Sequence, residues 1–124
     1  MPDKKKILIV DDDVAFCELT QEMMTQIGYH AVSASDTKEA LRVFSETPHQ
    51  FDLIVLDYML SGTYGTELAA EFLRVRPEIP IALYTGAVVP VEEVRSKGIH
   101  AVINKPLTKS ELAAAIRHIL GDVL

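Results

Sequence analysis

Four short apolar runs in this chain each end on polar residues able to do chemistry. Asp11-Asp12 follow Ile7-Leu8-Ile9-Val10, and Asp57 follows Leu53-Ile54-Val55-Leu56. Thr85 follows Ile81-Ala82-Leu83-Tyr84, and Lys105 follows Ala101-Val102-Ile103-Asn104. If the runs are neighbouring parallel strands, their carboxyl ends share one sheet edge, where open α/β folds bind ligands. Three carboxylates, a hydroxyl and an ammonium then face one crevice. Carboxylates are hard oxygen ligands, and magnesium typically takes one or two of them plus water and phosphate oxygens. Without a cation the three would repel one another. With one, Asp57 can act as an oxygen nucleophile towards phosphorus, while Lys105 and Thr85 offer a mobile cation and a hydroxyl donor to the equatorial oxygens.

The elements that must position these residues follow from the pattern. Short apolar runs alternate with longer amphipathic stretches, which signals βα units and a parallel sheet. Strands are expected at 7–10, 30–35, 51–56, 80–85 and 101–104. Phe16, Leu19, Met23 and Ile27 recur at helical spacing after the first, with Gly28 as the stop. Ala40, Leu41 and Phe44 mark a second helix, and Leu68, Phe72 and Leu73 a third. A short, weak helix is expected at 91–96, and Leu112, Ile116, Ile119 and Leu120 stripe the last one. Residues 57–65 read as a loop. Asp13 reads as the N-cap of the first helix, and Thr108 or Ser110 as that of the last. Right-handed crossovers leave a few open-sheet topologies, the flavodoxin-like order 2-1-3-4-5 among them. No glycine-rich fingerprint follows the first strand, so dinucleotide binding is not expected.

Bulk properties narrow the class. The chain has 124 residues, 48% hydrophobic and 24% charged, with a net charge of −6. One domain spanning 1–124, with no output domain, is expected. The acidic balance argues against nucleic-acid binding, which normally shows as a basic patch; Lys4-Lys5-Lys6 reads as a solvated terminus. Cys17 is the single cysteine, which fits a reducing cytoplasm and a packing role. The longest apolar stretch, 79–91, is interrupted by Pro80, Gly86 and Pro90 and is too short for a bilayer. A cytoplasmic location without membrane contact is expected. His30, His49, His100 and His118 lack metal-ligand spacing and read as scattered surface residues, and Met23-Met24 as core and helix edge.

The segments Ile-Leu-Ile-Val-Asp-Asp-Asp (7–13), Asp-Tyr-Met-Leu-Ser-Gly-Thr-Tyr-Gly (57–65), Tyr-Thr-Gly (84–86) and Asn-Lys-Pro-Leu (104–107) resemble the signatures of the response regulator receiver domain, the phosphoacceptor module of two-component signalling. The resemblance covers essentially the whole chain. It implies a flavodoxin-like (βα)5 three-layer sandwich with strand order 2-1-3-4-5. It implies that Asp57 accepts a phosphoryl group from a histidine kinase or histidine phosphotransfer protein. Asp11 and Asp12 match the acidic pair that holds magnesium, with manganese as a substitute, and Met59 would add its backbone carbonyl. Thr85 and Lys105 match the switch hydroxyl and the phosphate-binding lysine, whose bond to Pro106 is usually cis in the family. Self-phosphorylation and autodephosphorylation would be the only catalysis, and the chain would be a monomer or a weak phosphorylation-dependent dimer.

Three departures from the family pattern stand out. Ser61 replaces a usual proline four residues after the acceptor, which predicts a looser loop. Val102 replaces the usual aromatic three residues before the lysine, removing the ring whose rotation reports phosphorylation. The segment between Thr85 and Gly98 is short and holds Pro90, so the fourth helix should be stunted. Two other readings compete. A small-molecule phosphotransferase or phosphatase would need a recognition cap or a further acid/base residue, and neither is found. A degenerate receiver would lack an acid, the lysine or the hydroxyl, and all are present. The chain could also be a receiver module of a hybrid sensor kinase or multidomain regulator.

Overall fold

The apolar runs form one parallel sheet, buried on both faces. In the computed structural model, which describes residues 4–105 and 108–121, the strands are β1 (Lys6–Val10), β2 (His30–Ala34), β3 (Leu53–Leu56), β4 (Ile81–Thr85) and β5 (Ala101–Asn104). They lie in the order β2-β1-β3-β4-β5, the expected flavodoxin-like arrangement. The helices are α1 (Val14–Gln26), α2 (Thr37–Glu46), α3 (Gly65–Val75), α4 (Val91–Ser96) and α5 (Lys109–Leu120), with a 3-10 turn at Pro48–Gln50. Strand side chains alternate between faces, so each run supplies two cores. Leu8, Val10, Ile54, Leu56, Ile81 and Leu83 pack with Ala40, Phe44, Phe72 and Val94 of α2, α3 and α4. Ile7, Ile9, Val55, Tyr84 and Ile103 pack with Cys17, Met24, Leu112 and Ile116 of α1 and α5. Burying each large aliphatic side chain is worth about 1.5–3 kcal/mol, which locks the register that places the strand ends.

Local chemistry sets the element ends. Asp13 caps α1, accepting from the Phe16 amide at 3.1 Å. Asp36 does the same for α2 through Glu39 at 2.7 Å. Thr108, rather than Ser110, caps α5 in a reciprocal box with Glu111, which occupies both freed amides. The α4 helix has six residues and no side-chain cap, as its short, proline-led sequence predicts. The expected bounds at 30–35, 51–56 and 80–85 each shorten. Phe51, for example, is buried but lies outside β3.

Two expectations need correction. Leu19 is 54% exposed, and the buried face of α1 runs instead through Cys17, Thr20 and Met24. That stripe is centred one residue round the helix from the one the largest apolar side chains suggest. Residues 57–65 are not an unstructured loop. Met59–Leu60 pairs antiparallel with Thr63–Tyr64 about a Ser61-Gly62 turn, and Gly62 has φ of +80°, the signature of the third position of a type II turn. The Tyr58 and Tyr64 rings stand 5.4 Å apart, and Thr63 donates to the Glu67 carboxylate in the first turn of α3.

Gly65 joins this hairpin to α3. Its amide donates to the Tyr58 carbonyl at 2.6 Å. A Cβ there would run into the Asp57 carbonyl oxygen and lie 2.9 Å from Leu56 Cδ1. We expect Gly65→Ala to destabilise the domain by about 1–3 kcal/mol through overpacking. A urea-denaturation midpoint equal to wild type would show that the backbone there yields.

Cys17 is 3% exposed, and its thiol donates to the Asp11 carbonyl at 3.0 Å. Burial, reinforced by the nearby Asp11 carboxylate, pushes the thiol up to about 11 from 9.0. At pH 8 the folded chain then holds roughly a hundredfold less thiolate than the unfolded one. Iodoacetamide should label Cys17 slowly in the native protein and readily in urea. Equal rates would place the thiol in solvent.

Candidate functional site

The parallel register brings the four polar strand ends to one edge. Asp57 continues β3 beside β1, its amide donating to the Val10 carbonyl at 3.0 Å. Lys105 continues β5 beside β4, its amide donating to the Thr85 carbonyl at 2.8 Å. One oxygen from each of Asp11, Asp12 and Asp57 lies within 4.8 Å of the others. Asp11 is buried at 3% exposure, Asp57 is half-buried and Asp12 exposed. The trio is open on one side and walled on the other.

Each carboxylate is held separately. Asp11 accepts from the Asp13 amide at 2.9 Å through Oδ1 and from Lys105 Nζ at 2.8 Å through Oδ2. Lys105 Nζ also lies 3.5 Å from Asp57 Oδ2, a longer ion pair. Asp57 Oδ1 has the Met59 amide 3.5 Å away. Asp12 Oδ2 accepts from the Ser61 hydroxyl at 2.6 Å. Thr85 is 2% exposed at the end of β4. Its Oγ1 accepts from the Ala87 amide at 3.1 Å, which leaves its own proton for donation.

The donor set fits a hard divalent cation. Three carboxylates converge with one ammonium among them, which leaves two formal negative charges. Such all-oxygen sites suit magnesium or manganese. Sulfur is absent from the trio, and all four histidines are exposed elsewhere.

Sequence reasoning missed three neighbours. Phe16, read only as part of a helix stripe, places its ring centroid 3.9 Å from Lys105 Nζ. Tyr84 lies 5.5 Å from the same nitrogen, and the two rings are 5.5 Å apart. These π-faces attract the ammonium and, with Asp11, fix its position. Ser61, expected to loosen its loop, instead ties the hairpin to the end of β1. Neither contact has a local signal, since Ser61 and Asp12 are 49 residues apart. Val102 is half-buried in β5, beside a surface recess of about 390 Å³ lined also by Val88, Val89, Val94 and Ile99. The Lys105–Pro106 bond, expected to be cis, falls outside the described residues. Among the described residues, no helix is long and apolar enough to cross a membrane.

Comparison with known proteins identifies the family. The profile of the response regulator receiver domain matches residues 7–117. A probable transcriptional regulator, ycf27, from Cyanophora paradoxa is 35% identical over 94% of this chain and 48% of its own length. The phosphate regulon transcriptional regulatory protein PhoB of Pseudomonas aeruginosa is 33% identical over 94% of this chain and 52% of its own. The chain thus spans about half the length of these curated relatives. A CheY-like receiver domain protein from Methanospirillum hungatei superposes with a TM-score of 0.85 at 30% identity, covering 97% of this chain and 96% of that one. The non-phosphorylated HemR receiver domain of Leptospira biflexa gives 0.84 at 27%, covering 98% of each. On fold, profile and sequence together, the chain belongs to the response regulator receiver domain family of two-component signalling.

Proposed function

We propose that Asp57 is the residue that accepts the phosphoryl group, and that the whole of 1–124 works as one receiver module. The observation that carries this reading is the convergence of Asp57 with Asp11 and Asp12, one oxygen of each within 4.8 Å of the others, with the Lys105 ammonium 3.5 Å from Asp57 Oδ2. An Asp57 carboxylate oxygen attacks phosphorus, the new P–O bond forms as the bond to the donor breaks, and the donor keeps the electron pair. The donor class is the phosphohistidine of a histidine kinase or phosphotransfer protein, which places the reaction in the cytoplasm. Reversal by water, which releases inorganic phosphate and restores the carboxylate, is the only other chemistry assigned. The Asp11, Asp12 and Asp57 carboxylates and the Met59 carbonyl would hold magnesium, or manganese in its place. When bound, the cation neutralises charge on the phosphoryl oxygens.

Lys105 and Thr85 read the product. The lysine moves from Asp11 to the new phosphoryl oxygens, and Thr85 donates its hydroxyl proton to another. Val102 has no ring to bury, so the change passes through the backbone after β4 into the uncapped α4.

Incubation with acetyl phosphate and magnesium should add one acid-labile phosphoryl group per chain. Asp57→Asn should abolish it, and Asp12→Ala or excess chelator should cut it steeply. Full labelling of Asp57→Asn at a residue that also carries the label in the wild-type chain would refute the assignment. Lys105→Ala should lower stability in chelator by about 1–3 kcal/mol, because the buried Asp11 loses its charged partner, and added magnesium should recover part of the loss. A denaturation midpoint unaffected by chelator or mutation would mean that Lys105 does not balance the carboxylates.

A further inference from the structure

Ser61 sits at the second position of the turn in the 59–64 hairpin, and its hydroxyl donates to Asp12 Oδ2 at 2.6 Å. That length belongs to charge-assisted O–H···O⁻ bonds, which are about twice as strong as neutral ones. Asp12 is otherwise the least confined of the three carboxylates. Asp11 is buried and bonded to the Asp13 amide and Lys105, and Asp57 is pinned beside β1. Asp12 is exposed, and no hydrogen bond from another residue to its side chain is found among the described residues apart from that of Ser61.

The hairpin that carries Ser61 is itself rigid. It is braced by the Tyr58–Tyr64 ring contact and the Thr63–Glu67 bond, and it runs directly into the close-packed Gly65. The hydroxyl is therefore presented from a fixed frame, and the bond occupies only one oxygen of Asp12. Outer-shell hydrogen bonds of this kind orient ligating carboxylates, and removing them typically costs about 10–100-fold in metal affinity.

We propose that Ser61 is a positioning residue of the metal site. It holds Asp12 in one rotamer, with Oδ2 engaged and the other oxygen left available as a ligand, and so performs a task that a proline at this position could not. This rests on the reading of Asp11, Asp12 and Asp57 as the metal-holding set.

The test is a magnesium chloride titration of the full chain followed by amide NMR, which reads affinity without phosphorylation. Ser61→Ala should weaken binding about tenfold, and Ser61→Thr, which keeps the hydroxyl, should bind within about twofold of wild type. Ser61→Pro is the decisive variant, because proline suits the second residue of this turn while deleting the donor. It should bind as weakly as Ser61→Ala. Wild-type affinity in Ser61→Pro or Ser61→Ala, or tighter binding in either, would overturn the role. Asp12→Ala runs alongside as the control. If it binds magnesium like wild type, the metal reading itself fails and takes the Ser61 role with it. If it loses binding while Ser61→Ala does not, only the Ser61 role fails.

Discussion

The mutual repulsion of Asp11, Asp12 and Asp57 governs the carboxyl edge of the sheet. One oxygen from each lies within 4.8 Å of the others, and a single ammonium stands among them. Lys105 is 2.8 Å from Asp11 and 3.5 Å from Asp57, which leaves a net double negative charge facing solvent. Such an arrangement persists only if the backbone beneath it cannot relax apart. Two opposed apolar cores supply that rigidity. The ends of β1, β3 and β4 are anchored by buried residues on both faces of the sheet, and that of β5 by Ile103 on one face and the half-buried Val102 on the other.

The same charge balance explains why Lys105 is so closely held. It is bonded to Asp11, flanked by the Phe16 and Tyr84 rings and tied by its backbone to Thr85. A long, flexible side chain is thereby ordered at one point.

Much of this was legible in the sequence, for identifiable reasons. Continuous runs such as 53–56 can bury both faces only in a covered parallel sheet, and Asp57 at the end of such a run cannot be a core residue. Asp13 was readable as a cap because capping is local. The α1 stripe was not, since its face is set by small residues, Cys17 and Thr20, that hydrophobic periodicity underweights. The hairpin at 59–64 was hidden because two-residue strands carry no periodic signal. Its bond to Asp12 is a long-range side-chain contact that no local pattern encodes. The missing proline at Ser61 suggested slackness, whereas a hydroxyl there replaces backbone stiffness with a cross-link.

The glycine at position 65 also divides the site mechanically. With no Cβ, it lets the start of α3 rest on the Asp57 backbone, and its amide is bonded to Tyr58 at 2.6 Å. The β3–α3 side therefore behaves as a stiff abutment. Across the site, α4 is six residues long, follows Pro90 without a side-chain cap, and borders a recess beside Val102. Load applied at Asp57 meets unequal resistance on its two flanks. On the proposed role of Asp57, displacement would fall on the more lightly braced flank, so packing sets the direction of the response before any partner is engaged.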